Sequence, residues 1–86
     1  MKYELTFLLN DKEEVKNLKD IITSQGGKIE KEEDWGEKVL SYSIKNNPKA
    51  HFYNYVLNID KNKVAELRKK LNFNEKLLRY LLLVQE

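Results

Sequence analysis

The spacing of apolar residues switches between two and about 3.6 along this chain, in an order that few folds accommodate. Tyr3, Leu5, Phe7 and Leu9 alternate with Lys2, Glu4, Thr6 and Leu8, the pattern of a strand with one face on a core. Val15, Leu18, Ile21 and Ile22 then recur at helical spacing. Asn10 or Asp11 is placed to cap that helix, Glu13 and Glu14 suit the positive end of its dipole, and Gly26-Gly27 offers a left-handed exit. A helix over about 12–25 is predicted. Alternation returns weakly at Ile29 and then at Leu40, Tyr42 and Ile44, interrupted near Gly36, where a bulge or bend is expected.

The residues Asn46-Asn47-Pro48-Lys49 predict a hairpin turn, with Pro48 unable to donate to a ladder. The next strand, His51 to Ile59, places Tyr53, Tyr55, Leu57 and Ile59 on its core face, and Phe52, Asn54, Val56 and Asn58 on the other. Asp60 caps a second helix whose stripe is Val64, Leu67 and Leu71, with Lys61, Lys63, Lys69 and Lys70 off it. The run Leu77 to Val84 is apolar on both faces, which suits a buried helix as well as a strand. Its eight-residue length and the preceding Asn72-Phe73-Asn74 favour a strand. The fold class is therefore α+β, β-α-β-β-α-β: the ferredoxin-like arrangement of a four-stranded antiparallel sheet with two helices on one face.

Eighty-six residues give one domain, 1–86, burying only about 60–65% of its unfolded surface. With no cysteine, packing alone must hold it, as suits a reducing interior. The first residues run straight into alternation without an apolar signal segment, and nowhere do eighteen apolar residues follow one another, so a soluble cytoplasmic chain is expected. The net charge of +2 hides an asymmetry: residues 1–43 carry seven Lys/Arg against ten Asp/Glu, and residues 44–86 nine against four. A polyanionic partner and a solvated helix face both account for the basic half. Only Arg68 and Arg79 are arginines, so lysine point charges would carry most of any phosphate binding.

Chemistry finds little to work with. His51 is the only histidine, so an imidazole relay or a His metal cluster is ruled out. Glu30, Glu32 and Asp34 fall at spacing two, which would line a hard-cation site or, more simply, an acidic solvated strand. There is no Gly-x-Gly-x-x-Gly, phosphate loop or activated serine motif. Acylphosphatases share the fold class, but Asn10-Asp11-Lys12-Glu13 has no counterpart to their arginine loop. The RNA-recognition signature wants glycines that Lys49-Ala50-His51-Phe52-Tyr53-Asn54-Tyr55-Val56 lacks. No enzyme, cofactor or metal is expected. A small-molecule regulatory domain of ACT-like type is the alternative on the same topology, although Leu9-Asn10-Asp11-Lys12 lacks its glycine-bearing ligand loop.

Several landmarks occur together. Asp34-Trp35-Gly36, then Leu40-x-Tyr42-x-Ile44, then Lys49-Ala50-His51-Phe52, with Tyr3-Glu4 at the start and Leu71-Asn72-Phe73-Asn74-Glu75 ahead of Arg79, resemble the bacterial small-subunit (30S) ribosomal protein six family. The landmarks span nearly the whole chain. The resemblance implies a non-catalytic, cytoplasmic component of the small ribosomal subunit. Such a protein binds the central domain of small-subunit ribosomal RNA together with small-subunit ribosomal protein eighteen, with no membrane and no small-molecule substrate. On that reading Lys2, Lys38, Lys45, Lys49, His51 and Arg79 are the expected RNA contacts. Leu8, Phe52, Asn54 and Val56, on the face that the helices leave open, are the expected contacts with the partner protein. The chain departs from the family pattern in Glu37-Lys38, where a pair of basic residues is usual, in Ser41-Tyr42-Ser43-Ile44 for Ala-Tyr-Pro-Ile, and in stopping at Glu86 without a polar tail.

Overall fold

The computed structural model describes residues 1–85. It contains β1 (Lys2–Leu9), α1 (Glu14–Ser24), β2 (Lys28–Ile44), β3 (Asn47–Asn58), α2 (Lys61–Phe73) and β4 (Leu77–Gln85). The strands form one antiparallel sheet in the order β2-β3-β1-β4, so the expected ferredoxin-like arrangement forms. Tyr3, Leu5, Phe7 and Leu9 of β1 and Tyr53, Tyr55 and Leu57 of β3 share one core cluster with Leu18 and Ile22 of α1 and Val64, Leu67 and Leu71 of α2. Both helices thus cover the same sheet face. Phe7 anchors the centre, stacked on Tyr53 with ring centroids 5.1 Å apart and edge-on to Tyr55 at 5.0 Å, geometries that aromatic quadrupoles favour.

The helix ends follow from local chemistry. The Asp60 carboxylate accepts from the Asn62 N–H at 2.9 Å, satisfying a donor that the first turn of α2 would leave orphaned. α1 begins two residues later than its periodicity suggests. Asp11 caps a preceding turn instead, its carboxylate accepting from the Glu13 N–H at 3.0 Å. Asn10 does not cap at all; its amide donates to Asn47 Oδ1 at 3.0 Å and to the Lys49 carbonyl at 2.9 Å. After α1 the chain turns through Gly26 at φ +77°. Gly27 is needed for a different reason: a Cβ there would lie 2.8 Å from Ile22 Cγ2 and 2.9 Å from the Ile22 carbonyl oxygen.

β2 is 17 residues long and stays in register with β3 only in pieces. Pairing shifts between Ile29 and Lys31, between Asp34 and Gly36, and between Val39 and Ile44. The second shift is the bend expected at Gly36, whose φ is +82°. The hairpin turn lies earlier than the Asn46–Lys49 segment. Ile44 pairs with Asn47, and the two residues between, Lys45 and Asn46, sit at φ +49° and +65°. Two left-handed residues make the turn whose twist matches the flanking strands. Pro48 therefore belongs to β3, tolerated because residues 40–43 bulge away opposite it and no ladder partner waits there.

The bulges also correct the acidic row. Glu30 is the extra residue of the first bulge, so it turns toward Lys2 (3.3 Å) and Asn58 (3.5 Å). Glu32 and Asp34 stand opposite Tyr55 and Tyr53 on the helix side, paired with Lys19 and His51. The three carboxylates do not converge. Among the described residues no group of His, Cys, Asp and Glu could hold a metal ion, and no helix is long and apolar enough to cross a membrane.

Candidate functional site

On the open face the register places Lys2, Glu4, Thr6 and Leu8 of β1 between Asn58, Val56, Asn54 and Phe52 of β3 and Gln85, Leu83, Leu81 and Arg79 of β4. The residues expected to meet a partner protein lie together, but unequally available. Leu8 is 7% exposed, and Asn54, whose amide donates to the Thr6 hydroxyl at 2.9 Å, is 6% exposed. Phe52 and Val56 are half-buried. Leu81 and Leu83, 55% and 49% exposed, contribute the larger apolar area on this face.

The hairpin bends over one end of this face. Leu40, Tyr42 and Ile44 of β2 join Leu8, Phe52 and Arg79 around a depression of about 290 Å³. Its tip is held from two sides. The Lys45 ammonium donates to the Leu77 carbonyl at 3.0 Å and the Glu75 carbonyl at 3.4 Å, while Asn10 bonds Asn47 and Lys49 from below.

Four of the expected RNA contacts lie at this end of the sheet, Lys49 on the side of His51 by its unbroken register. Lys38, Lys49 and Arg79 are exposed and, among the described residues, make no ion pair; Lys45 uses its ammonium on backbone carbonyls. Lys38 Nζ lies 5.2 Å from the Phe52 ring centroid and 5.6 Å from that of Trp35, a cation–π placement. Lys2 stands apart, six residues along β1 from Leu8 and so roughly 20 Å away at the rise of a strand, paired with Glu30. His51 points to the other side of the sheet, where its ring packs on Tyr53 and its Nε2 meets the Asp34 carboxylate.

That carboxylate fixes the bend. Asp34 Oδ1 accepts from the Gly36 N–H at 2.9 Å. The Gly36 bond first, and His51 second, hold the Asp34 carboxyl below the usual range. Glu33 is likewise lowered, first by the Trp35 indole N–H that donates to it at 2.7 Å and then by Lys31.

The model of the family described as Ribosomal protein S6 matches residues 2–83. This chain belongs to the ribosomal protein S6 family. It is similar to the small ribosomal subunit protein bS6 of Fusobacterium nucleatum subsp. nucleatum, 33% identical over 92 residues, which span 99% of this chain and 98% of that protein. Against the same protein of Bartonella bacilliformis identity is 41% over 69 residues, 78% of this chain. There the match spans about half (49%) of the relative's length; for that of Vesicomyosocius okutanii the figures are 36% identity, 94% of this chain and 77% of the relative. The fold is that of the crystal structure of 30S ribosomal protein S6 from Thermotoga maritima, with a TM-score of 0.86 at 22% identity over 98% of this chain and 86% of that one.

Membership makes the chain a structural, non-enzymatic component of the small ribosomal subunit. It displaces the ACT-like alternative. Within the S6 frame, Leu81 and Leu83 are the residues that the sequence did not single out. A run apolar on both faces reads as wholly buried; the register with β1 places Leu81 and Leu83 on the face that the helices leave open.

Proposed function

We propose that this S6-family chain binds the central domain of small-subunit ribosomal RNA jointly with small-subunit ribosomal protein eighteen. The observation that carries the reading is that Lys38 and Arg79, which have no carboxylate partner among the described residues, stand at the hairpin end of a helix-free sheet face along which Leu81 and Leu83 lie exposed, with Lys49 at the same end of the sheet. Lys38, Lys49 and Arg79 would meet phosphates, with Lys45 holding the hairpin in place beside them. Each neutralised phosphate releases condensed counterions, so three contacts correspond to a log–log salt slope of about −2 to −3. Lys2 and His51, already bonded to Glu30 and Asp34, take secondary parts.

The apolar side of the face, Phe52, Val56, Leu81 and Leu83 with the rim of Leu8 and Asn54, would receive the partner protein. Burying ~100 Å² of apolar surface there contributes about 2.5 kcal/mol before ordering costs. Two surfaces engaged at once make the second contact intramolecular. The test is binding of a central-domain RNA fragment, with and without protein eighteen, at two salt concentrations. Affinity that falls with salt and rises with the partner supports the reading; salt-independent binding, or no gain from the partner, overturns it.

A further inference from the structure

Trp35 has no part in the core, and its contacts with Glu33 and Lys38 leave much of its ring open. It is the chain's only tryptophan and is 45% exposed, which is unusual for the largest apolar side chain in a small domain. It is also held. Trp35 is the unpaired residue between Asp34, opposite Tyr53, and Gly36, opposite Phe52. Asp34 clamps the bulge through the Gly36 N–H at 2.9 Å, and Glu33 fixes the indole through its N–H at 2.7 Å. Lys38 Nζ sits 5.6 Å from the ring centroid.

We propose that Trp35 is a base-stacking platform. Its exposed indole takes one unpaired nucleobase of the RNA, and Lys38 holds that nucleotide's phosphate. The proposal rests on the RNA-binding reading above and adds the class of nucleotide recognised. A π-face beside a lysine is the pairing that sequence-tolerant single-strand recognition uses. Duplex bases, stacked on both sides, offer no free face, so a loop or bulge nucleotide is required. Charge favours nucleic acid over a protein as occupant: the Glu33 carboxylate is engaged by Trp35 and Lys31, whereas Lys38 has no carboxylate partner among the described residues.

Because the tryptophan is single, its fluorescence reports the ring directly. The experiment titrates the full chain with a central-domain RNA fragment carrying unpaired loops and with the same fragment closed into a perfect duplex. Anisotropy of labelled RNA is followed alongside Trp35 emission. The expected result is quenching by the looped RNA at the concentrations where anisotropy rises, and little by the duplex. Trp35→Ala should weaken looped-RNA binding roughly 5- to 150-fold, the range that stacking of one base supplies, and Trp35→Phe should restore much of it. Lys38→Gln should lower the salt slope by about one. Binding by anisotropy without quenching, or equal quenching by the duplex, overturns the platform and leaves the RNA-binding reading standing. Equal quenching by protein eighteen in the absence of RNA assigns the ring to that contact and also overturns it. Absence of RNA binding by either probe, with protein eighteen present as well as without it, overturns both.

Discussion

Single residues set the two places where this backbone does something unusual, and their costs separate. Gly27 has no room: alanine there would press on Ile22 from 2.8 Å. Gly27→Ala should therefore destabilise by about 1–3 kcal/mol through overpacking, read as a lower urea midpoint at unchanged slope. Gly36 has room, with nothing within 4 Å of a built Cβ, but a φ of +82°. Gly36→Ala should cost about 1–2 kcal/mol through left-handed strain alone, and Gly36→Asn distinctly less, since asparagine tolerates that region. The sequence marked both glycines as special without saying which was steric and which conformational, because that depends on where Ile22 sits.

The carboxylates of β2 make stability depend on acid. Asp34 is lowered by the Gly36 N–H and then His51, Glu33 by Trp35 and then Lys31, and Glu30 chiefly by Lys2. A carboxyl lowered in the folded state contributes stability that is fully present above its unfolded value of about 4 and is lost as pH falls through the lower folded value. Unfolding free energy should therefore drop from pH 5 to pH 3. Asp34→Asn should make that drop shallower while leaving stability at pH 7 lower than in the parent.

Among the elements, the two helices, β1 and the core face of β3 were legible because one residue period decided each of them. Tyr53, Tyr55, Leu57 and Ile59 are all buried as their alternation required. β2 was not legible in the same way. The first of its three register shifts, between Ile29 and Lys31, turns Glu30 away from Glu32 and Asp34, so the three look aligned in sequence and are not in space. The hairpin turn was misplaced because Pro48 is a strong turn signal, whereas Lys45 and Asn46 adopt positive φ without a glycine to announce it.

Two element-scale tests follow from these placements. Asp60→Ala removes the acceptor for the Asn62 N–H and should cost about 1 kcal/mol, seen in thermal unfolding. Lys45→Met removes the bonds from the hairpin tip to the Glu75 and Leu77 carbonyls. Amide hydrogen exchange should then speed up over residues 40–48, while the central strands stay protected.

For the whole molecule, the fold is a platform with the helices on one side and an open sheet face on the other. The landmark residues, more than any one motif, indicated the S6 family, and the 2–83 match carries it. Where the candidate site lies was only half legible. Alternation separates the faces of β1 and β3, but that Lys38, Lys49 and Arg79 share one end while Lys2 lies at the other depends on register and on the hairpin's bend. Leu81 and Leu83 emerged only with the register of β4 on β1.

Co-sedimentation with small ribosomal subunits lacking their own copy of this protein tests the account most directly. The parent chain should sediment with the subunits at low salt, and the folded triple variant Lys38→Gln, Lys49→Gln, Arg79→Gln should stay in the supernatant. A folded triple variant that sediments as fully as the parent would contradict the account.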